Sequence, residues 1–232
     1  MPVTRDRRPG WDLTIFDCDG VLIDSEMLSI RVEVALLAEF GVAISAGEII
    51  ERYCGISTPT MLADIEVRFG VSLGADFAAR HGAEYAALCE AELQAMPGIE
   101  AVLDAVSAKM CVASSSAPER LRHTLGLAGL HQRFEPHVFS ATMVARGKPA
   151  PDLFLFAAER MDVAPSGCVV VEDSVPGVQA AVAADMAVVG FTGGGHCAAD
   201  QAERLRLAGA ASVVARMSEL LPAIAALRQR LR

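Results

Sequence analysis

What this chain lacks narrows it first. Its six cysteines, Cys18, Cys54, Cys89, Cys111, Cys168 and Cys197, include no C-x-x-C pair and no Cys/His cluster at zinc spacing, which argues against a zinc site or a dithiol redox motif. They read as free thiols, and Cys18, Cys111 and Cys168 lie in or beside apolar strands, where a thiol behaves as a small hydrophobe. There is no excess of basic residues: the net charge is −9, so neither nucleic acid nor an anionic membrane surface is an expected partner. No repeat or low-complexity segment occurs. The polar, arginine-rich start has no apolar core of a signal sequence. The most apolar long stretch, Val175 to Phe191, is broken by Gln179 and Asp185 and does not read as a membrane span. The expectation is a cytoplasmic protein, a monomer or weak homo-oligomer.

What is present is a large core. Hydrophobic residues are 53% of 232 and charged residues 21%, enough to bury one large domain or a domain with an insert. The organising stretch is Leu13-Thr-Ile-Phe-Asp-Cys-Asp-Gly20, a short buried strand ending in two carboxylates. Residues two apart on a strand can face the same way. Two such acids would resist ionising together, and a cation between them removes the conflict. An acidic turn with Gly20 at positive φ is the other reading of this stretch taken alone.

The rest of the chain decides. From about Glu26 to Ala95 four helices are expected: Glu26–Phe40, Ala46–Tyr53, Thr58–Phe69 and Ala75–Ala95. Ser72 and Asp76 are the candidate caps for the fourth. After Pro97-Gly98 strands and helices alternate. Strands are expected at Met110–Ala113, His137–Ser140, Cys168–Val171, Ala187–Phe191 and Ser212–Ala215. Helices are expected at 99–108, 118–125, 151–161, 176–184 and 218–231. Alternation predicts a parallel sheet with helices on both faces. Residues 1–24 and 97–232 then form an α/β catalytic core, and 25–96 form a helical cap domain inserted after the first strand. An insert leaving the carboxyl end of that strand sits where open α/β sheets bind ligands and is placed to act as a lid.

Four stretches carry chemistry. Asp17 and Asp19 end the first strand, Ser114 the second, and Glu172 and Asp173 the fourth, while Lys148 precedes a proline in a segment expected to be extended. Several carboxylate oxygens suit a hard cation such as Mg²⁺. Ser114, Ser115 and the amides after them precede a helix start, which favours an anion, and Lys148 adds positive charge. Together they suggest phosphoryl transfer by positioning and charge neutralisation. Asp17 can attack phosphorus, and Asp19 can serve as acid and then base. Taken singly, the serines read as a helix cap, Lys148 as a surface lysine and Glu172-Asp173 as an acidic turn.

Phe16-Asp-Cys-Asp-Gly-Val-Leu-Ile-Asp-Ser-Glu26, Val112-Ala-Ser114, Gly147-Lys-Pro-Ala-Pro-Asp152 and Val171-Glu-Asp-Ser-Val-Pro-Gly-Val178 resemble the four motifs of the haloacid dehalogenase superfamily, and within it the β-phosphoglucomutase-like phosphatases. The resemblance implies a Rossmann-like core with an inserted helical cap. It makes Asp17 the nucleophile and Asp19 the acid/base. Ser114 and Lys148 hold the phosphoryl group, and Lys148 screens the nucleophile. The Mg²⁺ set is Asp17, the carbonyl of Asp19, and Asp173, with Glu172 close by. Asp19 favours phosphate esters over haloacids and phosphonates. Mutases of this group typically carry a cap arginine, where this chain has Cys54-Gly-Ile-Ser-Thr58-Pro, and a histidine where it has Ser29. Both departures favour a phosphatase for a small phosphorylated sugar, polyol or sugar acid. The alternatives are a sugar phosphomutase and a non-catalytic metabolite-binding protein of the same fold. Glu26, Ser57, Thr58, Arg80 and His81 are candidate cap contacts, with His81 read as a surface residue. His123, His131, His137 and His196 show no metal-ligand spacing. Gly193-Gly-Gly195 reads as a flexible loop at the sheet edge.

Overall fold

The computed structural model of the chain describes residues 10–53 and 58–230. Six short strands form one all-parallel sheet in the order β3-β2-β1-β4-β5-β6. They are β1 (Leu13–Phe16), β2 (Lys109–Ser114), β3 (Val138–Ser140), β4 (Cys168–Glu172), β5 (Ala187–Phe191) and β6 (Ser212–Val214). Every residue of β1 is buried, and so is every residue of β4, as expected of strands covered by helices on both faces. Alternation sorts their side chains. Leu13, Ile15, Val170 and Val188 pack with Leu153, Phe154, Ala157 and Leu205 on one face. Phe16, Val169, Val171 and Val189 pack with Val102, Leu121, Phe134 and Leu220 on the other.

The chain order places β1 at the centre. From β1 the strands run out through β2 and β3 on one side. From β4 they run out through β5 and β6 on the other. The direction of winding therefore reverses between β1 and β4. Connections on either side of such a reversal leave in opposite directions and open a crevice at the strands' carboxyl ends. Asp17 and Asp173 each follow one of these two strands.

Between β1 and β2 stand α1 (Glu26–Glu39), α2 (Ala46–Tyr53), α3 (Thr58–Phe69) and α4 (Gly74–Glu92), followed by α5 (Ile99–Ala105). The first four share an interior of Leu36, Leu37, Ile65 and Phe77, all fully buried, with Phe40 edge-on to Phe77 at 5.5 Å. The fourth helix stops at Glu92 rather than Ala95. Residues 93–96 turn extended, and Ile23 bridges Ala95 in antiparallel sense. Asp24 N–H donates to Gln94 O (3.1 Å) and Met96 N–H to Leu22 O (2.8 Å). The two connections to the insertion thus pair with each other as a neck, which satisfies backbone groups that a continued helix would have left to solvent. Ser72 and Asp76 do not cap α4. Leu73 stands at its N-cap, and Leu73 N–H is taken by Glu66 Oε1 at 2.7 Å.

The remaining helices are α6 (Pro118–Leu127), α7 (His131–Phe134), α8 (Asp152–Arg160), α9 (Val175–Ala183), α10 (Gln201–Ala208) and α11 (Met217–Arg230). Of these, α7 and α10 have no counterpart in the sequence expectations: four residues show no period, and the polar Gln201–Ala208 lacks an apolar stripe. No helix among the described residues is long and apolar enough to cross a membrane. Cys18, Cys89, Cys111, Cys168 and Cys197 are free thiols, the first four buried; Cys54 lies outside the described residues.

Phe77→Ala would open a cavity among α1, α3 and α4. We expect a loss of about 3–5 kcal/mol, read as a shift in the guanidinium midpoint; a shift below 1 kcal/mol would mean these helices do not unfold with the rest.

Candidate active site

Asp17 is the first residue past β1, and its N–H donates to Val171 O at 3.0 Å, so the ladder to β4 fixes where its side chain begins. Lys148 arrives from the other end of the sheet. It is not in an extended segment: a turn closed by Ala150 N–H to Gly147 O (3.0 Å), with a cis Lys148–Pro149 bond, carries it. Its ammonium donates to Asp17 Oδ1 at 2.6 Å, to Glu172 Oε1 at 2.6 Å and to Ala113 O at 3.1 Å. The side chains of Lys148 and Glu172 are 5% and 0% exposed. The other oxygen of Glu172 accepts from Ser174 N–H and Ser174 Oγ, both at 2.9 Å. Glu172 is therefore committed at both oxygens, to Lys148 and to the start of α9.

Asp17, Glu172 and Asp173 each bring a carboxylate oxygen within 4.8 Å of the other two. Burial holds the Asp17 carboxyl well above the usual range; Lys148 opposes this, and the charges of Glu172 and Asp173 reinforce it. Burial likewise raises Asp173, against the pull of His196. Burial works against the Lys148 ammonium, but Asp17 and Glu172 prevail and raise it. Three buried acids beside one shared lysine leave a surplus of negative charge, and the donors are hard oxygens. That set fits a cation such as Mg²⁺.

Asp19 points elsewhere. Its Oδ1 accepts from Ser25 Oγ (2.6 Å) and its Oδ2 from Ser116 Oγ (2.8 Å), and the Arg120 guanidinium lies 3.9 Å away. Gly20, directly after Asp19, is required by space. It has φ +79°, and a Cβ there would sit 1.9 Å from Asp173 Oδ2. Ser114 is buried at the end of β2 and accepts from Ser116 N–H at 3.1 Å, which leaves its hydroxyl proton available. Ser115 is exposed and faces the same cavity. The serines are not the cap of α6; Ala117 holds that place without a side-chain bond.

The cavity holds about 520 Å³ and takes its lining from both sides. The sheet side gives Asp17, Asp19, Ser114, Lys148 and Asp173; the inserted helices give Ser29, Ile30, Glu33, Ile49, Tyr53 and Met61. Ser29 Oγ donates to Glu33 Oε1 (3.1 Å). Arg120 lies over the Tyr85 ring at 4.1 Å.

The structure revises several expectations. Glu26 does line the cavity. His81 is buried rather than on the surface: it stacks between Phe77 and Tyr85, 3.5 Å from Glu33. Arg80 pairs with Glu39 and Glu84 instead of reaching the site. Ser57, most of the Cys54–Thr58 segment and the Thr58 side chain lie outside the described residues. Gly193-Gly-Gly195 does not skirt the sheet edge. It follows β5, one strand in, and folds back so that His196 is buried against Asp173 at 2.8 Å. His196 and Arg120 were missed because neither has a spacing signature. The available signal was a histidine directly after three glycines at a strand's carboxyl end.

The fold and this site place the chain among the haloacid dehalogenase-like hydrolases. A sequence model of that family matches residues 11–185, and the chain belongs to it. Among relatives, the 6-phosphogluconate phosphatase of Escherichia coli is 34% identical over 186 residues, covering 80% of this chain and 84% of that protein. A conserved haloacid dehalogenase-like protein of Agrobacterium tumefaciens superposes with a TM-score of 0.88 at 40% identity, covering 94% of this chain and 99% of that one. A haloacid dehalogenase family hydrolase of Deinococcus radiodurans, crystallised with phosphate and sodium, gives 0.80 at 32% identity over 94% and 97%.

Glu26 offers a pH test. Burial and the Asp19 charge raise it from 4.5 to about 7, against the pull of His196. The folded state then binds more protons than the unfolded one between these values, so stability falls as pH rises from 4.5 to about 7. Thermal melts of metal-free protein should show wild type losing ground to Glu26→Gln across that window; parallel curves would show that Glu26 titrates normally.

Proposed function

We propose that this hydrolase is a Mg²⁺-dependent phosphomonoesterase that works through an aspartyl phosphate on Asp17. One observation carries the reading: the two acids of the Asp17-Cys18-Asp19 stretch are held for different work. Asp17 is bound to Lys148 inside the carboxylate cluster, and Asp19 is bound to two hydroxyls away from it.

In this reading Asp17 attacks phosphorus while the P–O bond to the leaving group breaks. Asp19 gives its proton to the leaving oxygen. Water then attacks the aspartyl phosphate, Asp19 takes the proton, and phosphate departs with Asp17 regenerated. Lys148 holds Asp17 in place and neutralises phosphoryl oxygens with the Ser114 hydroxyl and Ser115. Asp17, the Asp19 carbonyl and Asp173 would hold the magnesium, with Glu172 anchoring Lys148 beside them. When bound, the ion supplies charge for the phosphoryl oxygens and lowers the cost of ionising Asp17. Residues 25–96 act as a roof, joined to residues 1–24 and 97–232 by the paired neck, and keep bulk water from the site while Asp17 attacks, admitting water once the leaving group has gone.

The roof also bears on substrate class. Its described residues lining the cavity include the carboxylates Glu26 and Glu33, the hydroxyl of Ser29 and the body of Tyr53, whose own hydroxyl is held by Asp64 and Arg68, but no lysine or arginine. Such a surface suits the hydroxyls of a small phosphorylated sugar, polyol or sugar acid. It does not favour gripping a second phosphate, as a phosphomutase must. The 6-phosphogluconate phosphatase of Escherichia coli supports the same class.

A screen of phosphorylated metabolites with magnesium should find phosphate release from this class. Hexose 1-phosphate supplied with a bisphosphate activator should yield free phosphate; conversion to the 6-phosphate would establish the mutase instead. Asp17→Asn should abolish turnover while the thermal melt persists. Asp19→Asn should lower kcat by about 10²–10⁴-fold. Retained turnover in either variant rejects the role given to that residue.

A further inference from the structure

Beyond the four motif stretches, one segment reaches into the site with nothing in the proposed reaction to do. It runs from the end of β5 to the start of α10. Phe191 closes the strand, and after Thr192 come three glycines. A Cβ on Gly193 would lie 2.3 Å from the Phe191 ring and 2.7 Å from Ala215 O; one on Gly194 would lie 2.5 Å from the His196 ring. The chain can turn back here only without side chains at these two positions.

The turn delivers two contacts to one residue. His196 Nε2 lies 2.8 Å from Asp173 Oδ2, with both side chains almost wholly buried. Five residues on, Gln201 Nε2 donates to Asp173 O at 2.6 Å, also buried. Asp173 is thus clasped at its carboxylate and at its carbonyl by the same loop. The ring of His196 also closes over Gly20, where a Cβ would lie 2.8 Å from its Cε1. A lone carboxylate at a strand end can rotate about its side-chain bonds; one oxygen tied to a buried imidazole cannot without breaking that bond.

We infer that His196 is a positioning residue for the metal centre: by holding Oδ2 of Asp173 it leaves the other oxygen of that carboxylate directed to the ion shared with Asp17. Partners of this kind, behind the ligands themselves, set ligand orientation, and their loss weakens metal binding about 10–100-fold. Gln201 plays the supporting part from the backbone side. The inference rests on the magnesium reading of the site.

The test separates the two. Mn²⁺ is titrated into wild-type, His196→Ala and His196→Gln protein without substrate, and the free ion is read by electron paramagnetic resonance. The magnesium concentration for half-maximal phosphatase activity is measured alongside. We expect wild type to bind one ion. His196→Ala should raise both the Mn²⁺ dissociation constant and the half-saturating magnesium about 10–100-fold, with the smaller share of the loss in kcat at saturating magnesium. His196→Gln, whose amide can still donate to Oδ2, should recover most of the affinity and guards against a folding defect in the alanine variant. If wild type binds no ion, the magnesium reading falls and this inference with it. If wild type binds and His196→Ala binds equally well or more tightly, the positioning role alone is overturned, and the imidazole is instead a rival for the ion's place on Asp173.

Discussion

One buried ammonium ties the centre of this protein together. Lys148 reaches, from a turn near the sheet's β3 end, a carboxylate after β1, another at the end of β4 and a carbonyl on β2. Three adjacent strands therefore meet at a single nitrogen. Taking such charges out of water costs several kcal/mol each, and the cost is recovered only when every partner is in place. Remove the ammonium and two carboxylates are left buried side by side. Remove either carboxylate and the lysine loses a bond it cannot replace with water. The apolar Phe154 ring, 5.1 Å from the ammonium, adds a favourable face and excludes solvent.

This arrangement also explains why the acidic cluster still has room for a cation. Lys148 is divided between Asp17 and Glu172, and His196 is spent on Asp173. The burial that strengthens these pairs raises the acids Asp17 and Asp173. Asp19 stands outside this crowding: the chain turns at Gly20 and comes back at Ser25, and the oxygens of Asp19 are held by hydroxyls of Ser25 and Ser116 instead of ammonium groups. Asp17 and Asp19, with one residue between them, thereby have different surroundings. Over them lie Ser29 and Glu33, which line the cavity from the inserted helices, with His81 buried behind Glu33.

Much of this was legible in the chain. A parallel sheet requires short apolar runs alternating with helical periods, and β1, β2, β4 and β5 have them. Asp17, Asp19, Ser114, Lys148 and Asp173 could be picked out because each stands at or near the end of such a run. Less visible were features with no local period. The neck at Ile23 and Ala95 is two extended stretches far apart in sequence, and α10 has no apolar stripe. His81 looked like a surface residue because its helix is polar around it; only the packing of α1 against α4 buries it. Lys148 was expected in an extended segment, yet the chain turns tightly there.

By itself, then, the sequence determined the alternation of elements, the insertion after the first strand, and which acids, serine and lysine stand at strand ends, because these depend on local patterning and side-chain type. Only the tertiary structure decided that β1 lies between β2 and β4, so that residues more than a hundred positions apart share one ammonium. It alone turned Asp19 away from Asp17 and folded the loop after β5 back until His196 met Asp173. Those outcomes depend on strand order and on the space available beside Gly20 and Gly194, and neither is written in any one stretch of the chain.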